Sequence, residues 1–106
     1  MAYGVAQPPI SADYEDGWSQ VATPTGSFRL RRPIHVQMQE EDGVWSHWCE
    51  EIGVLGTGTT SADSICSFGE EFLATWDGLA GEEDSKLTGD ARSLKRLLLD
   101  LVEAIE

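Results

Sequence analysis

Lysine and arginine are missing from the middle of this sequence: none occurs between Arg32 and Lys86. The same interval carries Glu40, Glu41, Asp42, Glu50, Glu51, Asp63, Glu70, Glu71, Asp77, Glu82, Glu83 and Asp84. A surface of that sign repels phosphate backbones, which argues against direct nucleic-acid binding, whereas it attracts and steers a basic protein. Long apolar runs are missing too. No stretch approaches the roughly 20 apolar residues that a membrane-spanning helix needs. The first residues lack a basic region followed by an apolar core, so no secretory signal is read and the expected compartment is the cytoplasm. Cysteine is scarce. Cys49 and Cys66 are expected as free thiols in that compartment. Together with His35 and His47 they lack the close spacing of a zinc site, and no acidic cluster has calcium-loop spacing, so neither metal nor cofactor is expected.

What is present suits one small domain. The chain has 106 residues, 41% of them hydrophobic, with four Trp and three Phe to supply core area, and a net charge of -12. The pattern predicts an α+β fold: a small antiparallel sheet of three or four strands with one helix packed on it, plus a C-terminal helix. Residues 1–26 read as a flexible N-terminal segment, in which 18–23 fits a short extra strand. Residues 27–80 read as the core, and 81–106 as a linker and an amphipathic helix.

Within the core, residues 27–39 alternate. Phe28, Leu30, Ile34, Val36 and Met38 fall on one face; Arg29, Arg31, His35, Gln37 and Gln39 fall on the other, as in a half-buried strand. Pro33 has no backbone donor and marks an edge, a bulge or a start. The acidic turn ending in Asp42-Gly43 predicts a hairpin. Residues 44–49 form the return strand, with Trp45, His47 and Cys49 on one face and Val44, Ser46 and Trp48 on the other. A third strand fits 52–56. Thr60 then caps a helix over 61–76 whose stripe is Ile65, Phe68, Phe72 and Trp76, ended by Gly78 and Gly81. A second helix is predicted over 90–105, capped by Asp90. Its apolar face, with Leu94, Leu98, Leu101 and Ile105, is wide enough to serve either the core or a homodimer interface.

Catalytic chemistry finds little footing. His35 and His47 are available as bases, but acids are everywhere, so neither acquires a specific partner from the sequence. Gly53, Gly56 and Gly58 precede a helix, yet lack the Lys-Ser/Thr ending of a phosphate loop and read as tight strand-to-helix turning.

One set of motifs does stand out: Glu41-Asp42-Gly43, then Trp45, then Cys49-Glu50-Glu51-Ile52-Gly53-Val54, then Gly58-Thr59-Thr60, followed by a helix with Ile65 and Phe68. In this order, residues 34–76 resemble the HicB-like family, antitoxins and orphan relatives with a partial RNase H fold. Glu50 stands where the family has Pro, His47 where it has a small residue, and Asp63-Ser64 where it commonly has Glu-Ala. The resemblance implies a β-β-β-α unit followed by a further strand, for which 85–87 offers a short candidate. It also implies a non-enzymatic module that covers and neutralises a small basic ribonuclease toxin of the HicA type. Many members add a DNA-binding module, but one helix after Gly89 is too little for a helix-turn-helix. On this reading the partner-binding residues are Glu41, Asp42, Trp45, Trp48, Glu50 and Glu51. Two alternatives stay open: an orphan homodimer of structural or regulatory role, and a small hydrolase using His35 or His47.

Overall fold

The alternation from Phe28 to Met38 is interrupted at Arg32, which falls in the buried phase yet is exposed, and the strand it builds is divided in two. The computed structural model describes residues 17–106, so the loose tail expected over 1–13 lies outside the described residues. Within these, β1 (Trp18–Thr23) and β2 (Gly26–Ile34) form a hairpin; His35 and Val36 leave the ladder; β3 (Gln37–Glu41) then pairs with β4 (Val44–Cys49), which pairs with β5 (Val54–Gly58). The strand expected over 27–39 is therefore two strands in two sheets. Period two continues across His35, so Ile34 and Val36 both stay buried, as Phe28 and Leu30 do ahead of the exposed stretch 31–33. The α+β class holds: the described residues form two three-stranded antiparallel sheets ordered β1-β2-β6 and β3-β4-β5, with two α-helices.

The β3–β4 hairpin has the turn its sequence demands. Asp42 and Gly43 sit at φ 55 and 81 degrees, the pair of positive values that a two-residue turn needs to match strand twist. The Glu40 carboxylate accepts from the Gly43 N–H at 2.9 Å and braces the turn.

Helix α1 (Ser61–Leu79) is capped as predicted: the Thr60 hydroxyl accepts from the Asp63 N–H at 3.0 Å. It buries Ser64, Phe68, Gly69 and Phe72, with Ile65, Leu73 and Trp76 half-buried beside them. It packs on β5, β4 and β1, so a single helix joins the two sheets. Phe28 of β2 meets Phe72 at 4.9 Å and Trp76 at 5.4 Å between ring centroids, and Trp18 of β1 meets Phe68 at 5.2 Å. Two glycines make this approach possible. A Cβ on Gly69 would come 1.9 Å from the Ala22 carbonyl oxygen, and one on Gly56 would come 2.3 Å from the Phe68 nitrogen. Gly56 and Gly58 are thus strand residues lying under the helix, not a tight strand-to-helix turn. Nor does Gly78 stop α1, which runs through it to Leu79.

The C-terminal region departs most from expectation. Residues 84–86 form one 3-10 turn instead of a strand. The turn is held by Lys95, 2.9 Å from the Asp84 carboxylate, and by Arg92, which donates to the carbonyls of Asp84 (3.0 Å) and Leu87 (2.8 Å). Helix α2 (Gly89–Leu101) is capped by Thr88, whose hydroxyl accepts from the Ala91 N–H at 3.2 Å, and not by Asp90, which lies in the first turn. The helix expected to reach Ile105 ends at Leu101. Val102–Ile105 is strand β6, paired antiparallel with Phe28, Arg29 and Leu30 of β2. Reciprocal backbone bonds between Ser27 and Glu106, at 2.9 and 2.8 Å, extend that ladder. The backbone groups of β2 need partners on this side, and the extended tail supplies them. Among the described residues no helix is long and apolar enough to cross a membrane.

Candidate protein-interaction face

Register decides which side chains share a face. Across the second sheet, Gln37 is opposite Trp48 and Trp48 opposite Leu55; Gln39, Ser46 and Thr57 form the next row; Glu41 faces Val44. Cross-strand partners lie on the same side of a sheet. The inner side carries His47, Cys49, Val54 and Gly56, all buried beneath α1. The outer side therefore presents Gln37, Gln39 and Glu41 on β3, Val44, Ser46 and Trp48 on β4, and Leu55 and Thr57 on β5. Val44 is 52% and Leu55 47% exposed, and Trp48 is half-buried between its neighbours. Two shallow hollows lie on this side. One, about 360 Å³, is lined by Gln39, Glu41, Asp42, Val44 and Ser46. The other, about 320 Å³, is lined by His35, Gln37, Glu50 and Glu51. Trp48 falls between them along the chain.

The expected partner-binding residues divide across the sheet. Glu41, Asp42, Trp48, Glu50 and Glu51 gather on or around the outer face. Trp45 lies on the opposite side, half-buried, in register with Glu40 and Gly58. Val44 and Leu55 also belong to this face, although neither is among the expected partner-binding residues. The alternation had placed Val44 with Trp48, but the partner register that adds Leu55 comes only from the folded sheet.

Charge is distributed unevenly. Arg29 pairs with Glu106 at 2.6 Å, Arg31 donates to the Asp100 carbonyl at 2.9 Å, and Lys95 and Arg92 hold the 3-10 turn. Arg32 reaches the turn after β4, where its guanidinium makes a two-pronged contact with the Glu51 carboxylate, one arm at 3.2 Å. Glu51 thereby raises the pKa of Arg32 and, among the described residues, is the one rim acid with a cationic partner. The pair is half-exposed, so its contribution to stability is small. Among the described residues Glu41, Asp42 and Glu50, around the face, and Glu40 on the other side of β3 have no such counter-charge.

The dimer-interface residues expected on the C-terminal helix are placed differently from one another. Leu98 and Leu101 are 0% and 1% exposed within the core, and Leu94 is half-buried against it. Ile105 stands 60% exposed on β6.

Inside the core, His47 and Ser64 make a pair that resembles a base and a nucleophile. The His47 Nδ1 lies 2.7 Å from the Ser64 hydroxyl, which donates to the Gly56 carbonyl at 3.1 Å. A hydroxyl has one proton to give, so Nδ1 carries the proton in this bond and Nε2 is the bare nitrogen. Among the described residues Nε2 has no partner. Burial lowers the His47 pKa to about 4, so the ring is neutral near pH 7. Both side chains are 0% exposed, and Trp18 covers the ring at 5.7 Å. The pair ties β4 to α1. His35 is exposed and lines the second hollow. Burial also pushes the Cys49 thiol up, whereas Cys66 is exposed; both are free. Among the described residues no group of three or more His, Cys, Asp or Glu is arranged to hold a metal.

Comparison with known proteins finds no family model, no curated protein and no solved structure that matches this chain.

Proposed function

We propose that this chain is a non-enzymatic, cytoplasmic interaction module of the HicB-like antitoxin type, which binds a small basic protein on the outer face of the β3-β4-β5 sheet. The observation that carries the reading is the composition of that face. An aromatic side chain, Trp48, lies beside the exposed Leu55, with the exposed Val44 farther along β4 on the same face, between Glu41 and Asp42 at one end and Glu50 and Glu51 at the other. An aromatic anchor ringed by charge is how many interfaces divide their labour: the anchor holds, and the rim steers and selects. The order of elements supports the same reading: strand, acidic Asp-Gly turn, strand, glycine-bearing strand, then a Thr-capped helix. The basic partner this implies is a ribonuclease toxin of the HicA type, whose RNA-binding surface is positively charged.

The test is affinity purification of the tagged chain from its own cells at mild salt, followed by binding measurements on what co-purifies. A stoichiometric basic protein is expected. Trp48→Ala is expected to weaken its binding at least about 30-fold, as for an interface anchor. Glu50→Lys with Glu51→Lys is expected to weaken it and flatten its salt dependence. Glu70→Gln with Glu71→Gln, on the exposed side of α1, is expected to change little. A basic partner indifferent to Trp48 would sink the assignment of this face. A chain that emerges alone at every salt concentration and self-associates would favour an orphan homodimer.

A further inference from the structure

One strand of the second sheet has an open side. β4 is central and β3 and β5 are the two edges; α1 packs against β5, where the Ser67 hydroxyl accepts from the Thr57 N–H at 3.2 Å, whereas among the described residues no strand pairs with the outer side of β3. Hairpin geometry identifies the backbone groups displayed there. In a two-residue hairpin the residues flanking the turn, Glu41 and Val44, exchange hydrogen bonds, and bonded and unbonded pairs then alternate along the ladder. Gln39 and Gln37 therefore bond to Ser46 and Trp48, whereas the N–H and C=O groups of Met38 and Glu40 point away from β4. No hydrogen bond among the described residues takes these groups up. An unpaired row of this kind is a template for another strand.

Charge selects the occupant. Glu40, Glu41 and Asp42 crowd the turn end of β3, and neither β3 nor β4 contains a Lys or Arg. A second copy paired antiparallel about Gln39 would set Glu40 diagonal to its own equivalent, with Glu41 and Asp42 of the two copies toward opposite ends of the pair. Like charges that close oppose pairing. The device that discourages self-pairing favours a strand carrying lysine or arginine at those positions.

We propose that the outer edge of β3 takes up an extended basic segment of the partner as a fourth strand of this sheet, bonded to the backbone of Met38 and Glu40. Main-chain bonds supply affinity and the acidic side chains supply selectivity. The proposal deepens the reading of a basic protein partner and rests on it.

The probe is an eight-residue peptide alternating lysine and threonine, titrated into the isotope-labelled full chain and followed by amide resonances and hydrogen exchange. The amides of Met38 and Glu40 are expected to shift and to become protected; those of Gln37, Gln39 and Glu41 are already bonded within the hairpin. Glu40→Pro removes an outward N–H and Glu40→Gln removes the same charge alone. The proline variant is expected to bind the peptide at least about fivefold more weakly than the glutamine variant, the worth of about one hydrogen bond. If the proline variant fails to fold, exchange on the unaltered chain decides. Peptide that perturbs Trp48 but leaves Met38 and Glu40 unprotected overturns the edge proposal while leaving the interaction face standing. Protection that appears without peptide and grows with protein concentration overturns it in favour of a second copy. Edge protection in a chain that yields no basic partner from cells supports the edge and removes the antitoxin reading.

Discussion

His47 on β4 and Ser64 on α1 are joined by a 2.7 Å hydrogen bond at a point where neither side chain touches solvent. The bond makes a neutral imidazole part of the core, and stability becomes coupled to pH.

The His47 pKa falls from an ordinary 6.5 to about 4 in the folded protein. Between those values the unfolded chain binds the proton and the folded chain does not. Stability from this group is therefore complete above pH 6.5, declines as pH falls toward 4, and is flat below that. The loss amounts to about 3 kcal/mol. Relief of acidic repulsion acts in the opposite direction over the same range. The difference between the wild type and His47→Asn isolates the histidine, since Asn keeps a donor near the Nδ1 position but does not titrate. Urea unfolding across pH 4 to 7 is expected to show the wild type losing more stability on acidification; parallel curves would contradict the assignment.

Ser64→Ala removes the acceptor for the His47 Nδ1–H and the donor to the Gly56 carbonyl at once. Leaving buried polar groups unpaired costs about 1–3 kcal/mol, and the shift in the urea midpoint measures it. Ser67→Ala, which loses only an exposed bond to the Thr57 N–H at 3.2 Å, is expected to cost less.

Gly69→Ala tests how closely α1 approaches the first sheet. Alanine is the better helix former by about 1 kcal/mol, so propensity alone predicts stabilisation. The Ala22 carbonyl stands 1.9 Å from the new Cβ, and backbone cannot yield as a flexible side chain can. A net loss of about 2 kcal/mol or more is expected in thermal or urea unfolding, the overpacking term outweighing propensity. A stabilised variant would place the helix farther out.

Thr88→Ala and Asp90→Ala separate two assignments of the α2 cap. Thr88 accepts the Ala91 N–H, so its loss is expected to cost about 1 kcal/mol. Asp90 in the first turn contributes through the helix dipole, nearer about 0.5 kcal/mol. The opposite ranking would restore Asp90 as the cap.

Local chemistry made several elements readable in advance. The acidic Asp42-Gly43 turn between two alternating runs allows one hairpin, and Thr60 before the Phe68–Phe72 stripe allows one helix start. The candidate site was legible in part: its acids and Trp48 were named, whereas Trp45 falls on the other side. Alternation assigns residues to two faces but does not say which face meets α1.

The sequence by itself determined the α+β class, the hairpin, the capped helix and the cation-free acidic interval, because turn chemistry, period and charge act over a few neighbouring residues. Only the tertiary structure decided the break at His35 and Val36, because Ile34 and Val36 stay buried on either side of the exposed His35 and the period does not change at that point. It also decided that residues 102–105 form a strand. Leu101, Val102 and Ile105 satisfy a helical stripe, yet the open side of β2 at Phe28 to Leu30 offers the tail backbone partners that no local preference encodes. Burial of His47 was settled in the same way, by Ser64 and Trp18 arriving from distant parts of the chain.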